Sequence, residues 1–181
     1  MEFNSDFLKA IPQESYVNPK VEKRQAGEKG AGLFAKQPIS KGEIVSISGG
    51  VILHKSLWKQ VSEKFGDYAY FIEEDFLIAP LNPENPSDDW RMNHCCNANC
   101  GVRGQISFVA LRDINVNEEL TFDYAMTESD SDYKIQLHCR YDICRGDFTG
   151  NDWKNKDLQK KYSGYFSLYI QEKINKQSNH Q

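Results

Sequence analysis

The ten residues RMNHCCNANC, from Arg91 to Cys100, contain three cysteines, three asparagines and one histidine, and their only apolar residues are Met92 and Ala98. This composition fits a zinc cluster, a cysteine nucleophile with its histidine base, or a polar turn that satisfies buried backbone groups. Zinc-binding cysteines are usually two to four residues apart, and adjacent strand residues point to opposite faces. At most one of Cys95 and Cys96 is therefore expected to face a given site, and the stretch alone favours the polar turn.

The bulk composition predicts one acidic globular domain. The chain has 181 residues, 39% hydrophobic and 12% aromatic, which is enough for a sizeable core. With 22 basic and 26 acidic residues, the formal net charge is −4. Neutralising phosphates requires a basic surplus, so direct nucleic-acid binding is not expected, and a basic partner suits the charge better.

The cysteines and the hydropathy pattern predict an intracellular protein, cytoplasmic or nuclear. Five cysteines, two of them adjacent, make a poor disulfide framework and indicate a reducing compartment. The N-terminus lacks the pattern of a secretory signal, and no segment has the roughly 20 apolar residues that span a membrane. The sequence leaves the oligomeric state open.

Local patterns predict a mostly β fold with a few short helices. Six glycines between residues 20 and 53 indicate strands and turns, whereas Leu57, Val61 and Phe65 recur at helical spacing within residues 54–65. Strands are expected on both sides of residues 73–75, in residues 105–114 as a run buried on both faces, and through residues 118–126. Residues 157–174 are expected to be helical apart from Gly164, to cap the core rather than pair two chains, and to precede a disordered tail at 175–181.

Three further stretches are weak signals when each is taken alone. KGAGLFA (29–35) fits a tight hairpin turn or a close approach of backbone to a ligand. HCRYDIC (138–144) is half of a zinc site or a pair of surface cysteines, and EELTFDY (118–124) is a pocket wall or an ordinary edge strand.

Taken together and in order, these stretches resemble the motifs of the SET-domain family of protein lysine methyltransferases. KGAGLFA resembles the first motif, and NHCCNANC resembles N-H-S-C-x-P-N with Cys95 for Ser and Ala98 for Pro. ALRDINVNEELTFDY resembles the third motif with Asn117 for Gly, and CRYDICRG resembles the cysteine cluster that follows the domain.

The resemblance implies the SET-domain fold, in which small β-sheets surround a pseudoknot. Residues 93–97 and 120–124 would be its crossing segments, lying side by side. The expected division is an N-terminal extension (1–18), the SET domain (19–126), a segment like the post-SET cluster (127–153), and a C-terminal helical segment with its tail (154–181).

The resemblance also implies methyl transfer from S-adenosylmethionine to a lysine of a protein, possibly a histone. Tyr124 would be the catalytic tyrosine, whose hydroxyl orients the amine, and Tyr70 would line the lysine channel. Phe122 stands where a tyrosine would restrict turning of the amine, so di- or trimethylation is expected. The residues expected to bind the cofactor are Gly30, Ala31, Gly32, Leu33, Asn93 and His94.

Zinc is the second cofactor that the resemblance implies. Cys96, Cys139 and Cys144 match three of the four family ligands, whereas Leu137 stands at the position of the remaining cysteine. Either His138 completes the site, since imidazole suits zinc, or the metal is lost and Leu137 fills the gap.

Two other functions fit the sequence. The departures from the motifs at Ala98, Asn117 and Leu137 allow a SET-like binding module without catalytic turnover. A non-histone substrate, such as a ribosomal protein, is a less favoured third alternative, and the sequence does not separate it from a histone because a lysine channel reads a side chain common to all substrates. The acids at 73–75 and at 128, 130 and 132 are expected either to attract a basic peptide at the channel rim or to form a solvated surface.

Overall fold

The fold was analysed in a computed structural model that describes residues 15–136, 139 and 141–178. The expectations for residues 1–14, Leu137, His138 and residues 179–181 lie outside the described residues. Within the described part of the chain, no helix is both long and apolar enough to cross a membrane.

The described chain is mostly β, as the sequence predicts. The strands are β1 (Tyr16–Val17), β2 (Val21–Gln25), β3 (Ala31–Ala35), β4 (Ile44–Ile47), β5 (Val51–His54), β6 (Tyr70–Glu73), β7 (Phe76–Ala79), β8 (Asn93–His94), β9 (Cys100–Arg103), β10 (Ser107–Ala110), β11 (Glu119–Phe122), β12 (Lys134–Gln136) and β13 (Asp147–Thr149). The α-helices are α1 (Lys55–Phe65), α2 (Lys156–Lys161) and α3 (Leu168–Ser178), and short 3-10 helices lie at Gly27–Lys29, Asp88–Arg91, Tyr124–Met126 and Asp152–Lys154.

The strands form one large sheet and two small ones. The large sheet has the order β1-β4-β10-β9-β11-β3-β2, with β8 paired to β11. The smaller sheets are β5-β7-β6 and the hairpin β12-β13. Several sheets in place of one continuous layer agree with the predicted SET-domain fold.

The predicted side-by-side crossing is present. Asn93 and His94 in β8 lie opposite Thr121 and Phe122 in β11, in parallel register. Because parallel neighbours need a crossover connection, such a pairing must be specified by tertiary contacts.

The side chain of Asn99 closes this crossing. Its Nδ2 donates to the Glu119 carbonyl at 2.8 Å, and its Oδ1 accepts the Thr121 N–H at 2.9 Å. The Asn99 side chain therefore takes the hydrogen bonds that a neighbouring strand would otherwise make with β11. This is the role that the sequence predicted for the polar residues of this stretch.

Three local predictions are wrong. Residues 157–174 are not helical with a break only at Gly164, because α2 ends at Lys161 and α3 begins at Leu168. Residues 118–126 do not stay extended, because the Asp123 side chain accepts the Ala125 N–H at 3.1 Å and starts a 3-10 turn at Tyr124. The tail is not disordered from residue 175, because α3 continues to Ser178 while Ile174 packs in the core.

The C-terminal aromatic stretch caps the core, as predicted. Tyr162, Phe166, Tyr169 and Ile170 are all buried. The Ser167 N–H donates to the Met126 carbonyl at 2.9 Å, which ties the stretch to the turn that carries Tyr124.

A buried ion pair fastens the segment after residue 126 to the crossing. The Arg145 guanidinium donates to both oxygens of Asp123, at 2.7 and 2.8 Å, and Asp123 has no exposed surface. The backbone N–H of Arg145 also donates to Cys96 Sγ at 3.4 Å. Arg145 therefore links the segment that carries Cys139 and Cys144 to the residues that follow both crossing strands, Cys96 after β8 and Asp123 after β11.

We expect Arg145→Met to lower the free energy of unfolding by about 3–5 kcal/mol, because it leaves the Asp123 carboxylate buried without its cation. Urea denaturation of the two proteins measures the difference. The matched control is Arg112→Met, which removes an exposed arginine from its pair with Glu118 and should change stability by about 1 kcal/mol or less. Equal losses in the two variants would contradict the assignment of Arg145 as the fastening residue.

Candidate active site

Two adjoining cavities meet at one tyrosine. Tyr124 and Asp67 line both a wide cleft and a narrow pocket. The cleft has a volume of about 350 Å³, and the pocket one of about 50 Å³. Small-molecule sites usually begin near 300 Å³, so the cleft has the size of a cofactor site, whereas the pocket suits a single extended side chain.

The cleft contains two of the residues that the sequence assigned to the cofactor. Asn93 and His94 line it together with Glu28, which precedes the first motif, and Lys29, which begins it. Gln136, Ile135 and Cys139 close its other side. The wall therefore offers amide, imidazole, ammonium and carboxylate groups for a polar ligand.

The first motif supports this wall through its backbone. Gly30 has a φ of 76° at the end of the turn between β2 and β3, so the hairpin expected there is present. Asn93 Nδ2 donates to the Ala31 carbonyl at 3.2 Å, and a Cβ added at Gly32 would lie 2.9 Å from that nitrogen. Gly32 thus allows Asn93 to approach the strand, while Leu33 is fully buried in the core.

His94 is held as a neutral imidazole. Its Nδ1 accepts the Tyr124 backbone N–H at 3.2 Å, and its Nε2 lies 3.4 Å from Cys96 Sγ. Burial lowers the pKa of His94 to about 4. The negative charge of Asp123 acts to raise this pKa, and the positive charges of Arg145 and Lys29 offset part of that increase. This histidine can accept and donate hydrogen bonds at neutral pH without carrying charge.

Aromatic rings form the narrow pocket. The Phe122 ring centroid lies 4.9 Å from that of Tyr124 and 4.8 Å from that of Phe108. Tyr70 stacks at 5.5 Å from Trp90 on another wall, and its buried hydroxyl has no hydrogen-bond partner in the described part of the chain. Tyr70, Phe122 and Tyr124, the three residues predicted to surround the reacting groups, therefore share one cavity.

The polar lining of this pocket is acidic. Asp67, Asp89 and Glu128 contribute carboxyl groups, and no lysine or arginine lines the pocket among the described residues. A pocket with aromatic walls and carboxylates suits a cationic side chain.

Of the six acids expected at the channel rim, one lines the pocket, three line a separate depression, and Glu73 and Asp75 line neither. Glu128 lines the pocket, whereas Glu74, Asp130 and Asp132 line a separate surface depression that also contains Lys55 and Lys59. Glu74 lies 3.0 Å from Lys173 in a partly exposed ion pair. For most of these acids the solvated-surface interpretation fits better.

The tyrosine hydroxyls of the pocket stay protonated. Burial raises the pKa of Tyr124 above its usual range, Asp67 raises it further, and a hydrogen bond from the His94 backbone only partly opposes them. Burial likewise raises the pKa of Tyr70. These hydroxyls can orient a reacting group, but neither is a base.

A cluster of thiols lies beside the cleft. The sulfur atoms of Cys96, Cys139 and Cys144 are all within 4.8 Å of one another. Sulfurs bound to a tetrahedral zinc are about 3.8 Å apart, given Zn–S distances of about 2.3 Å, so small side-chain movements would create such a site. The predicted fourth ligand, His138, lies outside the described residues.

Of the two adjacent cysteines, only Cys96 belongs to this cluster in the described part of the chain, as the sequence predicted. Strand β8 ends at His94 and a turn follows, so the turn places these thiols rather than the alternation of a strand. The Asn97 N–H donates to Cys95 Sγ at 3.3 Å, as the Arg145 N–H does to Cys96 Sγ.

Sequence reasoning missed four residues that shape the site. Asp67, Trp90 and Tyr133 line the pocket, and Arg145 anchors the segment that carries the cysteines. None of the first three belongs to a recognised motif, so only their position in space reveals them. Arg145 stands in the CRG of the cysteine motif, which was a usable signal.

Comparisons with known proteins agree with this geometry. A sequence model described as the SET domain matches residues 30–125. Histone-lysine N-methyltransferase 2B of Homo sapiens is 33% identical over 128 residues, covering 64% of this chain and 5% of that protein. The probable histone-lysine N-methyltransferase set-23 of Caenorhabditis briggsae is 28% identical over 145 residues, covering 71% of this chain and 60% of that protein.

A solved structure shares the fold at low identity. The crystal structure of KRYPTONITE in complex with mCHG DNA and SAH superposes with a TM-score of 0.57 at 19% identity, covering 70% of this chain and 28% of that chain. This chain spans less than two thirds of each relative named above. The family match covers more than half of the present sequence, and the chain therefore belongs to the SET-domain family.

Proposed function

We propose that this protein is a protein lysine methyltransferase that uses S-adenosylmethionine. The observation that carries the proposal is the junction of a cofactor-sized cleft and a narrow, acidic, aromatic pocket at the hydroxyl-bearing side chain of Tyr124. The relatives are named as histone-lysine methyltransferases, so a lysine of a histone or of another basic protein is the proposed acceptor.

The cleft suits the proposed cofactor because its polar groups match the ends of that molecule. S-adenosylmethionine, when bound, supplies a methyl carbon on a positively charged sulfur. Lys29 and Glu28 can pair with its carboxylate and amino groups, while Asn93 and the neutral imidazole of His94 offer hydrogen bonds without another charge. The side chains of Tyr124 and Asp67 complete the wall that adjoins the pocket.

The protein aligns the reacting groups and excludes water from them. Phe108, Phe122 and Trp90 exclude water around the acceptor amine, which strengthens each polar contact there. The protonated hydroxyl of Tyr124 orients the amine toward the methyl carbon. No nucleophile of the protein is needed, because the lysine nitrogen attacks the methyl group directly.

Tyr124→Phe should lower kcat by about 10²–10³-fold, because it removes a fixed polar group from the reacting atoms. The measurement is transfer of labelled methyl from S-adenosylmethionine to a panel of core histones, total ribosomal proteins and poly-L-lysine. Tyr16→Phe removes the same hydroxyl from an exposed tyrosine and should leave the rate unchanged.

Calorimetry with S-adenosylmethionine separates this proposal from a SET-like binding module. We expect the wild type and Tyr124→Phe to bind the cofactor with similar affinity. A wild-type protein that binds no cofactor and methylates no acceptor would refute the enzyme proposal and favour the binding module.

Phe122→Tyr should shift the products from di- and trimethyl-lysine to monomethyl-lysine. The Phe122 ring lies against Tyr124, so an added hydroxyl would occupy space in which a methylated amine must turn. Mass spectrometry of the acceptor at long reaction times gives the product distribution. If the wild type makes only monomethyl-lysine and the variant does the same, the assignment of Phe122 fails.

We also propose that Cys96, Cys139 and Cys144 hold one zinc ion, with Cys95 or His138 as the fourth ligand. Support comes from the spacing of the three sulfurs, and Cys95 directly precedes Cys96 in the chain. Bound zinc would hold Cys139 in place, and Cys139 is one of the residues that line the cleft.

Metal analysis should find about one zinc per chain, and Cys144→Ser should lose it. Cys100→Ala removes a buried cysteine outside the cluster and should retain the metal. Cobalt substitution of Cys95→Ser and of His138→Ala identifies the fourth ligand, because the visible spectrum changes only when a ligand is lost. Zinc-free wild-type protein after purification without chelators would contradict the proposal.

A further inference from the structure

Glu128 stands in the narrow pocket with one oxygen fixed and the other available. Its Oε1 accepts the backbone N–H groups of Ser129 and Asp130, each at 2.6 Å. These are the only hydrogen bonds of its carboxyl group within the described chain. Its own N–H donates to the Tyr124 carbonyl at 2.9 Å, so Glu128 follows the catalytic tyrosine by one turn and lines the same cavity.

The other two carboxyl groups of the pocket are held differently. Asp67 is exposed and accepts a hydrogen bond from the hydroxyl of Tyr133, another lining residue, at 3.1 Å. Asp89 accepts one from the Ser87 hydroxyl at 2.6 Å, and its second oxygen is sealed inside the protein. Glu128 is the half-buried carboxyl group of the pocket that combines an oxygen anchored by two backbone N–H groups with an oxygen left for a ligand.

Burial moves the titration of Glu128 toward neutral pH. Burial raises the pKa of Glu128 to about 7, and Asp130 raises it further against the two backbone hydrogen bonds. The titratable groups that line the pocket or adjoin Glu128 in its loop are Asp67, Asp89, Asp130, Tyr70, Tyr124 and Tyr133. Burial raises the pKa of all three tyrosines above their usual range, so none of them accepts a proton.

A lysine acceptor must lose a proton before it can attack. With a pKa of about 10.4, only about one lysine in 2,500 is neutral at pH 7 in water. A base inside the pocket removes this limit, and Glu128 is a lining carboxylate with an oxygen available for this role.

We propose that Glu128 Oε2 is the base that takes the proton from the substrate ammonium, an inference that rests on the proposed methyltransferase function. An N–H bond of the ammonium breaks and an O–H bond forms on Glu128. The neutral amine then attacks the methyl carbon, the S–C bond breaks, and the positive charge passes from sulfur to the methylated nitrogen. Glu128 afterwards releases its proton to solvent, and each further methylation needs one more such transfer.

The pH dependence of kcat/KM tests this role. With poly-L-lysine or the best acceptor of the panel, wild-type kcat/KM should rise through pH 7 and stay nearly flat from pH 8 to 9.5. Glu128→Gln should be about a hundredfold slower at pH 7.5, as is typical of a lost general base. Its rate should then rise about tenfold per pH unit up to pH 9.5, because it depends on amine that is already neutral.

Asp132→Asn is the matched control, since it removes an exposed carboxylate from the same loop. It should keep the wild-type profile. If Glu128→Gln also keeps that profile, or changes only KM, then Glu128 is not the base. A wild-type protein that transfers no methyl group to any acceptor would overturn the methyltransferase function itself. An active wild type together with a Glu128→Gln variant of unchanged pH profile would overturn only the role of Glu128.

Denaturation provides a measurement that needs no substrate. The folded-state pKa of about 7 exceeds the unfolded value of about 4.3, so the folded protein binds more protons between these values and loses stability as the pH rises through them. Glu128→Gln cannot ionise, so its urea midpoint should exceed that of the wild type at pH 8 more than at pH 4.5. A difference that does not vary with pH would overturn the inference.

Discussion

The parallel contact between β8 and β11 is the constraint on which the rest of the structure depends. It joins residues 93–94 to 121–122 across more than twenty residues of chain. No hairpin turn can enforce a parallel pairing, so side chains must do so. Asn99 supplies hydrogen bonds to one side of β11, and the Arg145–Asp123 pair closes the end of that strand. With the crossing in place, His94 and Tyr124 become neighbours, with their rings 5.1 Å apart.

Burial at this crossing sets the protonation state of each polar group. It keeps His94 neutral and Tyr124 protonated, so both act through hydrogen bonds rather than through charge. Burial also raises the pKa of Glu128 to about 7. The two cavities differ in their polar lining: the cleft combines the charged Glu28 and Lys29 with the neutral Asn93 and His94, whereas the pocket has carboxyl groups and no lysine or arginine among the described residues. A low local dielectric makes each of these contacts stronger than it would be in water.

Local patterns anticipated the elements that local physics controls. Helix α1 follows from Leu57, Val61 and Phe65, and β6 and β7 follow from the apolar runs on both sides of residues 73–75. Predictions failed where a single contact overrode the pattern. The Asp123 cap ended β11 early, and packing of Ile174 extended α3 past its predicted end.

The sequence by itself determined the family, the order of its motifs, and the residues that stand at the crossing: Asn93, His94, Phe122 and Tyr124. These residues lie in short contiguous stretches, and spacing along the chain is enough to recognise them. Only the tertiary structure decided that Asp67, Trp90, Tyr133 and Glu128 share one pocket with Tyr124. Asp67, Trp90 and the loop that carries Glu128 and Tyr133 are far apart along the chain, and they come together only when the packed core joins those segments.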